Sequence, residues 1–127
     1  MKMRFDIEYT LPPGISGYIE RDIVMKYISY VKIGDDKYEK PIGDSKTVQS
    51  FYYFVSRNSM KITEIMMQNG NHFFLKNNKL HSYDTYCYIN PSIKLKYYAK
   101  NGRIMDKKEE IFFLRKLKIE HLKNISK

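Results

Sequence analysis

Tryptophan is absent, cysteine occurs once and histidine three times. With Cys87 alone, no disulfide can close within the chain and no zinc site of two or more thiolates can be assembled. Such cysteine usage suits a reducing compartment. No stretch approaches the roughly 18 consecutive apolar residues of a membrane-spanning helix. The N-terminus alternates charged with apolar residues instead of presenting a signal-peptide core. The expectation is an intracellular or particle-internal protein, neither secreted nor membrane-spanning. A glycine-rich phosphate loop and a Gly-x-Ser-x-Gly elbow are also missing. Three histidines leave most hydrolytic arrangements short of parts, so the sequence reads as non-enzymatic and without a cofactor.

What is present fits one globular domain. The chain has 127 residues, 43% of them hydrophobic, with 12 Tyr and 7 Phe. Tyrosine carries an apolar ring and a polar tip, which suits sheets with one wet face and surfaces that bind. Basic residues outnumber acidic ones by 23 to 14, a formal net charge of +9. The excess is uneven: from Lys94 to Lys127 there are 11 basic against 4 acidic residues. That end suggests a surface meeting an anionic partner, nucleic acid or an acidic protein, or else a solvated basic end serving solubility.

Met3, Phe5, Ile7, Tyr9 and Leu11 alternate with polar residues, a strand ended by Pro12-Pro13-Gly14. Ile19, Ile23, Tyr27, Tyr30 and Val31 fall at helical spacing and predict a helix over about 19–29. Residues 30–33 and 37–39 about Gly34-Asp35-Asp36 read as a small hairpin. Asp44 or Ser45 is placed to cap a helix bearing Val48, Phe51, Tyr52 and Val55, although Phe51–Val55 also suits a buried strand. Thereafter strands at 62–67, 72–75, 86–89 and 95–99 alternate with turns at 68–71, 76–79, 90–92 and 100–103, the rhythm of a meander. At the C-terminus Asp106 and Glu109 resemble a capping box. Phe112 and Ile119 nevertheless lie opposite Leu114, Leu117, His121 and Ile125 on a helical projection. A strand near 109–114 followed by a short helix is therefore expected. The fold class predicted is α+β, a single domain, mainly an antiparallel sheet or meander of hairpins with two or three short helices. Residues 1–58 form its α+β part, 59–113 its hairpin part and 114–127 a basic C-terminal helix or tail.

An internal repeat appears at an offset of 24 residues. Phe73-Phe74-Leu75-Lys76-Asn77-Asn78-Lys79-Leu80 aligns with Tyr97-Tyr98-Ala99-Lys100-Asn101-Gly102-Arg103-Ile104. Cys87, Tyr88 and Ile89 then align with Ile111, Phe112 and Phe113. Asn-Asn and Asn-Gly are suited to the left-handed conformations of a tight turn, and such units must stack to bury their faces. The pattern resembles a short tandem repeat written aromatic–aromatic–x–x–Asn–Gly–x–Leu–His, related to the MORN-type hairpin repeat and common in proteins of giant DNA viruses and phages. Phe73, Phe74, Asn77, Asn78, Leu80 and His81 match in one unit; Tyr97, Tyr98, Asn101, Gly102 and Ile104 match in the next. The likeness covers about 60–113. Asn78 stands where the pattern has glycine, Met105 where it has histidine, and Tyr83-Asp84-Thr85-Tyr86 where Asp-Gly-Pro-Ala is usual. It implies a scaffold or interaction protein, in a host cytoplasm or inside a virion, with no enzymatic activity to carry over.

His72, His81, Asp84 and Cys87 form the one cluster of potential ligands or nucleophiles. A metal- or thiol-dependent enzyme around His81 and Cys87 is the least favoured class, because Cys87 between Tyr86 and Tyr88 reads as a buried strand residue. Asp6 and Glu8 share a strand face and read as a solvated one. The remaining candidate surface is basic and aromatic: Lys94, Lys96, Tyr97, Tyr98, Lys100, Arg103, Lys107, Lys108, Arg115, Lys116 and Lys118. Its cations would meet phosphates while exposed tyrosines stack on bases, or its tyrosines pair across strands while its lysines guard a sheet edge. The leading expectation is a non-enzymatic interaction or structural protein docking on a larger protein assembly. A nucleic-acid-binding accessory protein is the alternative, and the oligomeric state stays open.

Overall fold

A computed structural model describes residues 6–125; the side chains of Arg21, Asp22 and residues 121–125 lie outside that description. The expected strand positions Met3 and Phe5 also fall outside it. From Ile7 the alternation holds: Ile7 is fully buried and Glu8 exposed along β1 (Ile7–Leu11). The Pro12-Pro13-Gly14 turn returns the chain as β2 (Ile15–Ile19), paired antiparallel from Ile7↔Ile19 to Leu11↔Ile15. β2 is an element that the sequence pattern concealed. Its Ile15 and Tyr18 are 63% and 60% exposed, so no buried face imposes a period. Gly17 opposite Tyr9 carries no side chain because the Tyr9 ring occupies the space, within 2.6 Å of where a Cβ would stand.

Helix α1 (Arg21–Tyr27) is shorter than the predicted 19–29 and turns another face inward. Val24 and Met25 are buried while Ile23 and Tyr27 are exposed. The spacing of Ile23 and Tyr27 thus marks solvent-facing residues, whereas Ile19 belongs to β2 and packs against the core. Strands β3 (Ile28–Ile33) and β4 (Asp36–Glu39) form the expected hairpin about Gly34, which has φ +61°. Helix α2 (Ser45–Arg57) resolves the alternative at Phe51–Val55 in favour of a helix. Asp44 accepts from the Thr47 amide and hydroxyl, each at 2.9 Å, satisfying a donor that the first turn otherwise leaves unpaired. Phe51 and Val55 are buried at its inner face, and Phe54 meets Tyr38 of β4 with ring centroids 4.9 Å apart.

A 3-10 turn (Ser59–Lys61) leads into β5 (Glu64–Met67), β6 (His72–Lys76), β7 (Lys79–Leu80), β8 (Tyr88–Asn90), β9 (Leu95–Tyr97), β10 (Ala99–Lys100) and β11 (Arg103–Ile104). The strands join in one mixed sheet ordered β10-β11-β1-β7-β6-β5-β3-β4, with β2 on β1 and the β8–β9 hairpin on β6. All pairings are antiparallel except those of β1 with β7 and β11. Register places Val31, Ile65, Phe73, Tyr88 and Tyr97 in one cross-strand row. Val31, Ile65 and Phe73 are buried in the core, where Tyr88 and Tyr97 pack against them. The neighbouring row on the opposite face reads Tyr30, Met66, His72, Ile89 and Lys96. The described residues form a single α+β domain, a mixed and mainly antiparallel sheet with three α-helices.

The C-terminal expectation is corrected. Residues 109–114 are not a strand: one helix, α3 (Lys107–Ile125), runs through 19 residues and is not short. The Glu109 amide donates to Asp106 Oδ1 at 2.9 Å, and the Asp106 amide lies 3.5 Å from Glu109 Oε1. This reciprocal cap fixes the first turn. The alternation of Leu117 and Ile119 with charged residues is incidental to a helix that buries only a narrow stripe. Along it Glu109, Phe113 and Leu117 are half-buried, and Phe113 meets Tyr98 at 5.9 Å. The repeat therefore ends at Ile104. Residues 111–113 are helical and do not match the strand entered at Cys87-Tyr88-Ile89.

Candidate functional site

Two hairpin tips are built alike. β6–β7 turns through Asn77 and Asn78 at φ +53° and +61°; β10–β11 turns through Asn101 and Gly102 at +50° and +88°. Left-handed conformations at both central residues give the tight turn whose twist matches the strands. Leu75 pairs with Leu80 and Lys76 with Lys79; at the same offset Ala99 pairs with Ile104 and Lys100 with Arg103. After each tip the matching amide repeats its bond, His81 to the Phe74 carbonyl at 3.0 Å and Met105 to the Tyr98 carbonyl at 2.8 Å. β1 anchors both: the Glu8 amide donates to the Asn78 carbonyl at 2.9 Å and the Thr10 amide to the Gly102 carbonyl at 2.6 Å.

The tips also touch each other. The Gly102 amide donates to the Leu80 carbonyl at 2.7 Å, and the Asn101 amide donates to His81 Nδ1 at 3.0 Å. The Lys79 stem covers Gly102, leaving 3.2 Å to the position a Cβ would take. His81 of the first unit thus pins the turn of the second. Met105 stands at the matching place in the second unit, where α3 follows and no further turn needs an acceptor.

Of the sequence-predicted basic and aromatic residues, Lys100 and Arg103 face each other at the second tip, and Lys107 and Lys108 open α3 just beyond. Arg103 pairs with Glu109 at 3.4 Å, an exposed contact worth little. Lys94 lies in the turn that opens β9, at the other end of the run from Lys100. Lys96 holds its ammonium 5.7 Å from the Tyr86 ring centroid. Arg115, Lys116 and Lys118 are exposed on α3. The tyrosines are not free stacking platforms. Tyr98 is 8% exposed against Phe113, and its phenol is shifted upward, first by burial. Tyr97 is half-buried and stacked on Tyr88 at 6.1 Å.

The candidate ligand cluster, the least favoured reading of the sequence, is dispersed. Cys87 is fully buried, its Sγ 3.4 Å from the Tyr97 carbonyl, and burial pushes the thiol up to about 12. A thiol so held is no nucleophile near neutrality. His81 is engaged with Asn101. Asp84 is exposed. Among the described residues no three His, Cys, Asp or Glu converge as metal ligands.

His72 instead joins a network on the sheet face opposite the core row. Its Nδ1 lies 2.9 Å from the Tyr86 hydroxyl. Its Nε2 stands 3.0 Å from Glu64 Oε2, close enough for an ion pair but without hydrogen-bond alignment. Tyr30 donates to the same Oε2 at 2.8 Å. Burial, then the bond to Glu64, pushes the Tyr30 phenol up to about 12, and burial raises that of Tyr86. Both phenols are thereby held protonated, as hydrogen-bonding members of a network and not as activated nucleophiles. A cleft of about 380 Å³ lies elsewhere, lined by Thr10, Leu11, Pro12, Pro13, Gly14, Arg103 and Asp106. Its side chains supply no serine, cysteine or histidine.

Sequence reasoning missed Lys76 and Lys79, although the repeat alignment set them over Lys100 and Arg103. It also missed the exposed apolar residues of α3: Ile111 at 45%, Phe112 at 73%, Leu114 at 39% and Ile119 at 54%. No helix among the described residues is long and apolar enough to cross a membrane. Comparison with protein-family models, curated proteins and solved structures finds no match.

Proposed function

We propose that this chain is a non-enzymatic interaction protein, of the viral or phage type implied by its resemblance to MORN-like hairpin repeats, that docks on a larger protein assembly. The observation that carries the reading is the outer surface of α3. Phe112 and Ile119, seven residues apart, share a helical face with Lys108, Arg115 and Lys116 beside them. Ile111 and Leu114 lie further round, with Lys107 and Lys118 between or beside them. Such anchors at helical spacing suit a helix-in-groove contact. The flanking cations select an acidic rim around an apolar groove on a partner protein. Apolar and cationic residues are spread around α3 too widely for one face to lie in a bilayer surface with the other in water.

The test compares the intact chain with its F112D/I119D variant as bait in lysate from the native source. An acidic protein retained by the wild type and lost with the variant supports docking through α3. Identical retention by both overturns it.

A nucleic-acid-binding accessory role is the second reading, favoured by the exposed Lys96, Lys100, Lys107 and Lys108. With Tyr98 buried and Tyr97 covered, it would work through phosphate contacts instead of base stacking. Binding to DNA or RNA should then weaken several hundred-fold or more between about 50 and 200 mM salt if some six phosphates are neutralised. Undetectable binding at low salt removes the reading.

A further inference from the structure

The junction of the two tips has a chemistry that docking through α3 does not use. An amide can only donate, so the bond from Asn101 makes His81 Nδ1 the acceptor and leaves the ring proton of the neutral imidazole on Nε2. The first tip contributes Lys76 and the second Lys100, both exposed and neither in an ion pair among the described residues. The other two tip cations are differently placed: Lys79 lays its stem over Gly102, and Arg103 reaches toward Glu109 at 3.4 Å. Tyr83 packs edge-on with the ring, its centroid 4.7 Å from that of His81, while its hydroxyl donates to the Leu75 carbonyl at 2.7 Å.

We propose that Lys76, Lys100 and the Nε2–H of His81 form a binding site for a phosphate group at the junction of the two hairpin tips. Two ammonium groups and a neutral N–H donor supply charge and hydrogen bonds to one anion. Hairpins anchored on β1, and the His81–Asn101 bond between them, fix the backbone positions of the three residues in advance, leaving the two exposed lysine side chains for binding to order. The electrostatics agree: the imidazole is held below its ordinary range by burial and then by the charges of Lys76 and Lys100. A ring that feels both ammonium groups will also feel an anion placed between them. The site deepens the phosphate-contact reading and is independent of α3.

The experiment is an NMR titration of the His81 ring in the intact chain, with inorganic phosphate or chloride at equal ionic strength. Phosphate should raise the midpoint by about 0.8 to 3 units, the effect of one elementary charge ~4 Å away at effective dielectric constants of ~80 to ~20. The K76A/K100A variant should start from a higher midpoint and lose the response. An unmoved midpoint in the wild type, or an equal response in the variant, overturns the site whether or not nucleic acid binds elsewhere. A short DNA duplex serves as the second arm. A duplex that moves His81 as phosphate does assigns the site to backbone phosphates; a duplex that leaves it unmoved while phosphate acts assigns it to free phosphate.

Discussion

Replacing Gly102 by alanine tests whether the tips are stacked as described. Gly102 combines φ +88° with contact to Lys79, whose Cβ and Cδ lie 3.2 and 3.3 Å from the position of the new methyl. Its amide and carbonyl bond Leu80 and Thr10, in the first hairpin unit and in β1. Gly34 provides the control, because it has φ +61° and nothing within 4 Å. G34A carries only the cost of a left-handed alanine, about 1–2 kcal/mol. G102A adds displacement of Lys79 and distortion of two hydrogen bonds, each worth about 0.5–1.5 kcal/mol net. Its total is then about 2–5 kcal/mol. Unfolding entropy of roughly 2.1 cal/mol/K per residue converts these costs into melting-temperature losses of about 4–7 °C for G34A and about 7–19 °C for G102A. Differential scanning calorimetry reads both. Equal losses, or a smaller one for G102A, would refute the close approach of the two tips.

Phe73→Ala removes a ring that is 2% exposed at the centre of the core row and should cost about 3–5 kcal/mol in urea denaturation. Cys87 should resist a thiol-labelling reagent at about pH 8 in the native protein and react fully once unfolded, since burial holds the thiol up to about 12. Because burial, Lys76 and Lys100 lower the folded-state pKa of His81, the unfolded chain binds more protons as pH falls below about 6.5. The contribution from His81 is therefore complete above that pH and is lost on descent through the folded value. Denaturation midpoints measured across this range should fall less steeply in H81Q. The F112D/I119D variant, altered at residues 73% and 54% exposed, should keep its stability within about 0.5 kcal/mol of wild type by the same measurement.

Where chemistry is local, the residues announce the fold. Asn77-Asn78 and Asn101-Gly102 specify their turns because few other residues adopt positive φ, and Asp44 specifies the start of α2 through its own side chain. Elements whose faces are set by distant partners were harder to see. β2 is held by β1 on one side and leaves Ile15 and Tyr18 exposed, so no alternation marks it. α1, only seven residues long, turns Val24 and Met25 inward and leaves Ile23 and Tyr27 outside. α3 appeared divided because its apolar residues are distributed around it, only Phe113 and Leu117 falling on the half-buried stripe. The candidate surface was legible in charge but not in exposure. The cations lie outside as expected, whereas Tyr97 and Tyr98 are claimed by Tyr88 and Phe113.

Backbone amide hydrogen exchange on the intact chain tests most directly whether two equivalent hairpins are mounted on β1 and end in one helix. Slow exchange at Glu8, Thr10 and Gly102, with Asn101 slowed through His81, is the outcome that this architecture predicts. Fast exchange at Thr10 and Gly102 beside slow exchange within α2 would contradict it, and the joined cationic tips would fall with it.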